Sequence, residues 1–241
     1  MAEEQSAQTS KLSITKTMTQ EQILKMLDWS YDKTIEGLPG QKNIYEFVND
    51  YLKTSDKETA IKKMIRFQTT KAATSGFATG FGGFATMMAT IPADIAMVTV
   101  FQMRMVAAIA IIRGYELKSD QVRTFVYAAL AGSNMSDIVK KTGINISDKI
   151  ATGVVQRIPG SALTKINKSI GFRFLTKFGS EGSINLGKMI PMAGALFGSG
   201  LDIFTTRAVA SFACRTFSEQ GISLGDGMVL NDLSTRSERF D

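Results

Sequence analysis

Between Gly76 and Ile112 the chain runs 37 residues with two formal charges, Asp94 and Arg104. A stretch this long and apolar must be buried, in protein or in lipid. The two charges within it need partners there, because an unpaired charge in apolar surroundings is strongly unfavourable. Gly76, Gly80, Gly82 and Gly83 punctuate its first part. Gly76 and Gly80, four apart, share a helix face that a second backbone can approach closely. Pro92 suits the first turn of a helix that runs to about Arg113 and stops at Gly114. Asp94 then falls in that first turn, where the helix dipole favours a negative charge. The run predicts a Gly/Ala-rich apolar helical hairpin at the centre of the fold. Since a membrane span takes about 20 residues, a re-entrant or peripheral hairpin fits more easily than two full spans.

A second helix of similar character is expected from Pro191 to about Phe217. Ala93, Ala96, Val100, Arg104, Ala107 and Ile111 share one face of the first helix by their 3/4 spacing. Ala193, Leu196, Gly200, Ile203, Arg207, Ala210 and Cys214 repeat the pattern in the second, beside a row of Gly194, Gly198 and Asp202. Arg104-Met-Val-Ala-Ala-Ile-Ala110 echoes Arg207-Ala-Val-Ala-Ser-Phe-Ala213, and each helix is opened by Ile-Pro. These patterns predict that the two helices pack together, Arg104 with Asp202 and Arg207 with Asp94. The spacing is imperfect: the charges lie about 15 Å apart along the first helix and about 7.5 Å apart along the second. With Gln102, the four groups form either a buried polar network that fixes helix register or a site for a headgroup or polar metabolite. A catalytic use of the two Asp residues is a third reading.

The rest of the chain narrows the chemistry. It has no histidine, which removes imidazole triads, His metal ligands and an imidazole pH switch. Cys214 is the one cysteine, so an intrachain disulfide and a multi-thiolate zinc site are excluded. It reads as a small core residue. No metal or other cofactor is expected. Gly80-Phe-Gly-Gly-Phe-Ala85 brushes the dinucleotide-binding pattern but lacks a preceding strand and the final glycine. No basic n-region and apolar core open the chain, so no signal peptide is expected and the location reads as cytoplasmic, at the inner face of a membrane. Without export, three Asn-X-Ser matches, at Asn134, Asn145 and Asn167, read as chance.

Charge is unevenly placed. Residues 1–70 are neutral, with 10 basic and 10 acidic groups; residues 71–218 carry 16 basic and 7 acidic, and residues 219–241 carry 2 and 5. The excess peaks between Ile138 and Ile190, giving a candidate basic surface of Lys140, Lys141, Lys165, Lys168, Arg173 and Lys177. Such a field attracts phosphate, on anionic lipid headgroups first. Nucleic acid is a weaker partner, because no recognition module accompanies the charge.

Helical periodicity dominates the chain, and no long alternating segment argues for a sheet. Residues 1–18 read as a disordered polar tail, 19–218 as a single all-α multi-helix domain, and 219–241 as a polar C-terminal tail. Thr19 and Gln22 form a capping box, and Ser55 with Glu58 reads as another. A helix from Ser119 or Asp120 runs through Leu130 and ends near Gly132. Short helices follow from Ser136 to Lys168, joined at Gly143, Gly153 and Pro159-Gly160.

Several segments together resemble the EcsC family. They are Thr74-Ser-Gly-Phe-Ala-Thr-Gly80, Ile91-Pro-Ala-Asp-Ile95, Gln102 to Ala110 and Gly114 to Thr124. In the second half they are Ile158-Pro-Gly160, Gly171-Phe-Arg173, Thr176-Lys-Phe-Gly179, Asn185 to Pro191, and Gly194 to Asp202. The resemblance covers about residues 20–217. It implies a helical, membrane-associated protein of a largely bacterial family, named for a component encoded beside an ABC transporter linked to secretion. That transporter is the protein partner it suggests. No catalytic residue carries over. A soluble helical protein that binds a polar or lipid-like ligand around Asp94 and Arg104 is the alternative, and a His-independent hydrolase ranks below it.

Overall fold

A computed structural model describes residues 19–73, 93–143, 158–178, 199–225 and 228–230. Within them the chain is an all-α bundle of eight helices with a small β-hairpin. The helices are α1 (Gln20–Glu36), α2 (Ile44–Leu52), α3 (Lys57–Ala73), α4 (Ala93–Ile112), α5 (Asp120–Leu130), α6 (Met135–Thr142), α7 (Gly160–Phe178) and α8 (Ser199–Thr216). Strands β1 (Ile222–Gly225) and β2 (Met228–Leu230) pair antiparallel.

Local signals fix the ends of several helices. Thr19 Oγ1 accepts from Gln22 N–H, and Gln22 Oε1 accepts from Thr19 N–H at 2.7 Å, completing the expected capping box. The second expected box does not form. Asp56 caps α3 instead, its Oδ1 accepting from Thr59 N–H at 3.0 Å, because a carboxylate one residue later is the stronger acceptor. Glu58 is used elsewhere. Gly114 and Gly132 end α4 and α5 with φ of 82° and 64°. After each, the next N–H reaches back five residues, Tyr115 to Ala110 and Ser133 to Ala128, so the left-handed turn satisfies carbonyls the helix leaves open.

α4 is the centre of the bundle. It packs against α1, α2, α3, α5 and α8. Every residue from Gln102 to Ile112 is buried. This part of the apolar run is therefore enclosed by protein on all sides, and among the described residues no helix is long and apolar enough to cross a membrane. The Gly-rich arm, residues 76–92, lies outside the described residues.

Arg113, just past α4, pairs with Glu58 in the first turn of α3 and with Glu219 after α8, at 2.5 and 3.0 Å. Thus α3 runs antiparallel to α4, and α8 runs parallel to it. Two expectations change. The segment through Gly171 is one continuous helix, α7, rather than short helices ending near Lys168. Gly171 is where α7 crosses α1: a Cβ there would lie 3.0 Å from Leu24 Cγ and Cδ2. The glycine serves close packing, not a break. The polar C-terminal tail is folded in part, since Ile222, Leu224 and Leu230 are buried and β1 packs on α6 and α8.

Candidate functional site

Arg104 is buried at 4 % exposure in the middle of α4. Its Nη2 donates to the Lys42 carbonyl at 2.6 Å, and its guanidinium lies 4.7 Å over the Phe47 ring. The partner is thus the turn before α2 and the face of α2, and among the described residues no carboxylate lies within ion-pair distance. Burial pushes its pKa below the ordinary value. A guanidinium nevertheless stays charged, and the Phe47 ring and the Lys42 carbonyl both stabilise that charge.

Gln102, two residues earlier, points the other way. Its Nε2 makes long contacts to Thr205 and Thr206 hydroxyls of α8, at 3.5 and 3.4 Å. So α4 and α8 do pack together, with Gln102 and Thr206 on the shared side while Arg104 turns to α2. Two residues turn a helix by about 200°, so Gln102 and Arg104 belong to opposite sides of α4. Arg207 is exposed, because α8 turns Thr206, Val209, Ala210 and Ala213 inward. The side chains of Asp94 and Asp202 lie outside the described residues.

A second polar cluster joins α1 to α5. Arg123 Nη2 lies 3.0 Å from Asp28 Oδ1 and 3.7 Å from Asp32. Arg123 Nε donates to the Tyr127 hydroxyl at 2.8 Å, which donates in turn to Asp28 Oδ1 at 2.8 Å. Tyr31, set edge-on to Tyr127, donates to the Leu117 carbonyl at 2.7 Å. Burial drives both phenols well above their ordinary pKa. Periodicity gave no sign of this cluster; the Asp28/Asp32 spacing of four, with Arg123 on a distant helix, was its one trace.

The basic residues sort by environment. Lys140 and Lys141 are exposed in the last turn of α6, which packs on α7. Lys165 and Lys168 are exposed on α7, and Arg173 is half-buried at the flank. The Lys177 side chain lies outside the described residues. Ser161, Lys165, Lys168, Phe172 and Thr176 follow helical spacing and are all exposed, while Leu163, Ile166, Ile170 and Phe174 turn to the core. Phe172 is 59 % exposed, the most of any large hydrophobic side chain described. It was missed in the sequence because residues 171–188 show no clear period.

Among the described residues no three Cys, Asp or Glu side chains are placed to hold a metal ion. Burial raises the Cys214 thiol's pKa, which keeps it a neutral packing group. What the described residues offer is therefore internal clasps and an exposed stripe on α7 that holds Lys165, Lys168 and Phe172. No curated protein and no solved structure matches the chain. The model of the EcsC protein family matches residues 3–219, taking in the N-terminal segment and ending just before the β-hairpin. A match over nine-tenths of the chain, on a helical bundle whose order of segments it spans, carries the assignment: the chain belongs to the EcsC family.

Proposed function

We propose that the protein is a non-catalytic accessory protein that works by contact at the anionic inner face of a membrane, in the service of transport or secretion. The observation that supports this reading is α7. Its 19 residues contain Lys165, Lys168, Arg173 and Lys177 and not one Asp or Glu. A solvated helix ordinarily mixes both signs, as α1 does with Glu21, Lys25, Asp28 and Lys33. Single-sign charge on an outward face draws in anionic surfaces.

The ligand-binding reading draws less support, because Arg104 is engaged by Lys42 and Phe47 while Gln102 faces α8. Hydrolysis draws less again, since the chain lacks histidine and the thiol is held neutral. Co-sedimentation tests the proposal. At low salt the purified protein pellets with vesicles rich in phosphatidylglycerol and stays in solution with phosphatidylcholine alone. Equal failure to pellet with both would contradict it.

A further inference from the structure

We propose that the exposed stripe of α7 is the docking surface for an anionic bilayer, with Lys165 and Lys168 on the headgroups and Phe172 entering the headgroup–acyl boundary. This rests on the membrane reading above and names the surface that carries it.

The geometry is specific. Positions 165, 168 and 172 lie within a narrow arc of one helix, and seven residues of rise put them in a row about 10 Å long. The opposite arc is spent on the core: Ile166, Ile170 and Phe174 are buried. On the inner flank the Gln20 side-chain amide donates to the Lys168 carbonyl, and Gly171 lies against Leu24. α7 is therefore held by α1 in one rotation, and its apolar face is not free to turn outward. An amphipathic helix that lies in a membrane gives its whole apolar face to lipid; α7 cannot. What it presents instead is two ammonium groups and one aromatic ring.

That combination selects the occupant. The phenyl ring, 59 % exposed, is flanked along its stripe by Lys168 and Thr176, with Lys165 two turns away, so no apolar residue of that stripe covers it. An acidic protein groove would satisfy the lysines and leave the ring to find a pocket. A fluid anionic bilayer satisfies both, because phosphates meet the ammonium groups at the depth where a ring one or two turns away enters hydrocarbon. One ring and two lysines give reversible, salt-sensitive binding, not insertion.

The test places a reporter at the ring. Trp29 is the chain's single tryptophan, so Phe172→Trp in a Trp29→Phe background isolates the signal. With phosphatidylglycerol vesicles the emission of the new indole shifts to the blue, and bromine on the acyl chains quenches it. With phosphatidylcholine vesicles it is unchanged. In the otherwise native chain, Lys165→Gln with Lys168→Gln weakens vesicle binding about 25-fold, each lysine counting for about fivefold, and Phe172→Ala weakens it about tenfold. If the protein pellets with anionic vesicles while the indole stays in water and these variants bind as the native chain does, the docking surface is elsewhere and this inference falls alone. If the native chain does not pellet at all, the membrane reading falls with it.

Discussion

α4 and α7 each set arginine or lysine among core-forming residues, and the fold treats them in opposite ways. α4 is wrapped by five helices, and its Arg104 is drawn inside, onto a carbonyl and an aromatic face. α7 buries one arc and turns Lys165 and Lys168 to solvent with Phe172 one turn beyond them. The more hydrophobic helix is buried at every residue from Gln102 to Ile112. Hydropathy alone points to α4 as the membrane element; burial assigns its Gln102–Ile112 stretch to the core, and the contact proposed above falls to the less apolar helix.

The largest expected effect comes from the core side of this contrast. Ile109→Ala, at a fully buried position on α4, should cost about 2–5 kcal/mol of stability in urea melts. A loss under about 0.5 kcal/mol would mean that α4 is not enclosed as described. Arg104→Ala should cost about 1–3 kcal/mol, since it strips the Lys42 carbonyl of its donor and leaves Phe47 uncovered. If the loss requires an acidic partner as well, Arg104 variants will fail to be additive with substitutions at Asp94 or Asp202, which a double-mutant cycle reads directly.

The α1–α5 clasp sharpens the comparison through pH. Tyr31 and Tyr127 are held protonated by burial, above the ordinary value of 10.0. Below pH 10 the folded and unfolded chains both keep these protons. Above it the unfolded chain ionises and the folded chain resists, so stability falls as pH rises through that region. Urea midpoints at pH 9 and pH 11 should show the drop, and Tyr127→Phe should reduce it. An unchanged midpoint would mean that the phenols are solvated.

Thr19→Ala, which removes the capping box of α1, should cost about 1 kcal/mol. The smallest change in stability is expected on α7. Phe172→Ala should stay within about 0.5 kcal/mol, although it weakens vesicle binding. Loss of stability and loss of binding thus separate between the two helices, and a variant of α7 that unfolds the chain would blur the contrast.

The Thr19 box, the stops at Gly114 and Gly132, and the all-helical class were legible in the sequence because capping and periodicity are local. The packing of α4 on α8 was legible too, from small residues at helical spacing. Its face was not: a run with apolar residues all round offers no phase, and Arg104 took a backbone carbonyl, which has no sequence signature. α7 was legible only as far as Lys168, because the mixed aromatic, basic and Gly residues from Gly171 onward set no period, while Gly171 in fact packs closely against Leu24. The folded hairpin after Glu219 rests on three buried apolar residues, too few to set a pattern.

The central claim is that any membrane contact is made by the basic face of α7 and not by the apolar run. Release of the native protein from phosphatidylglycerol vesicles by about 1 M salt, where screening acts over about 3 Å, tests it most directly. The account predicts near-complete release into the supernatant. Retention in the pellet would contradict it and return the apolar run to the lipid.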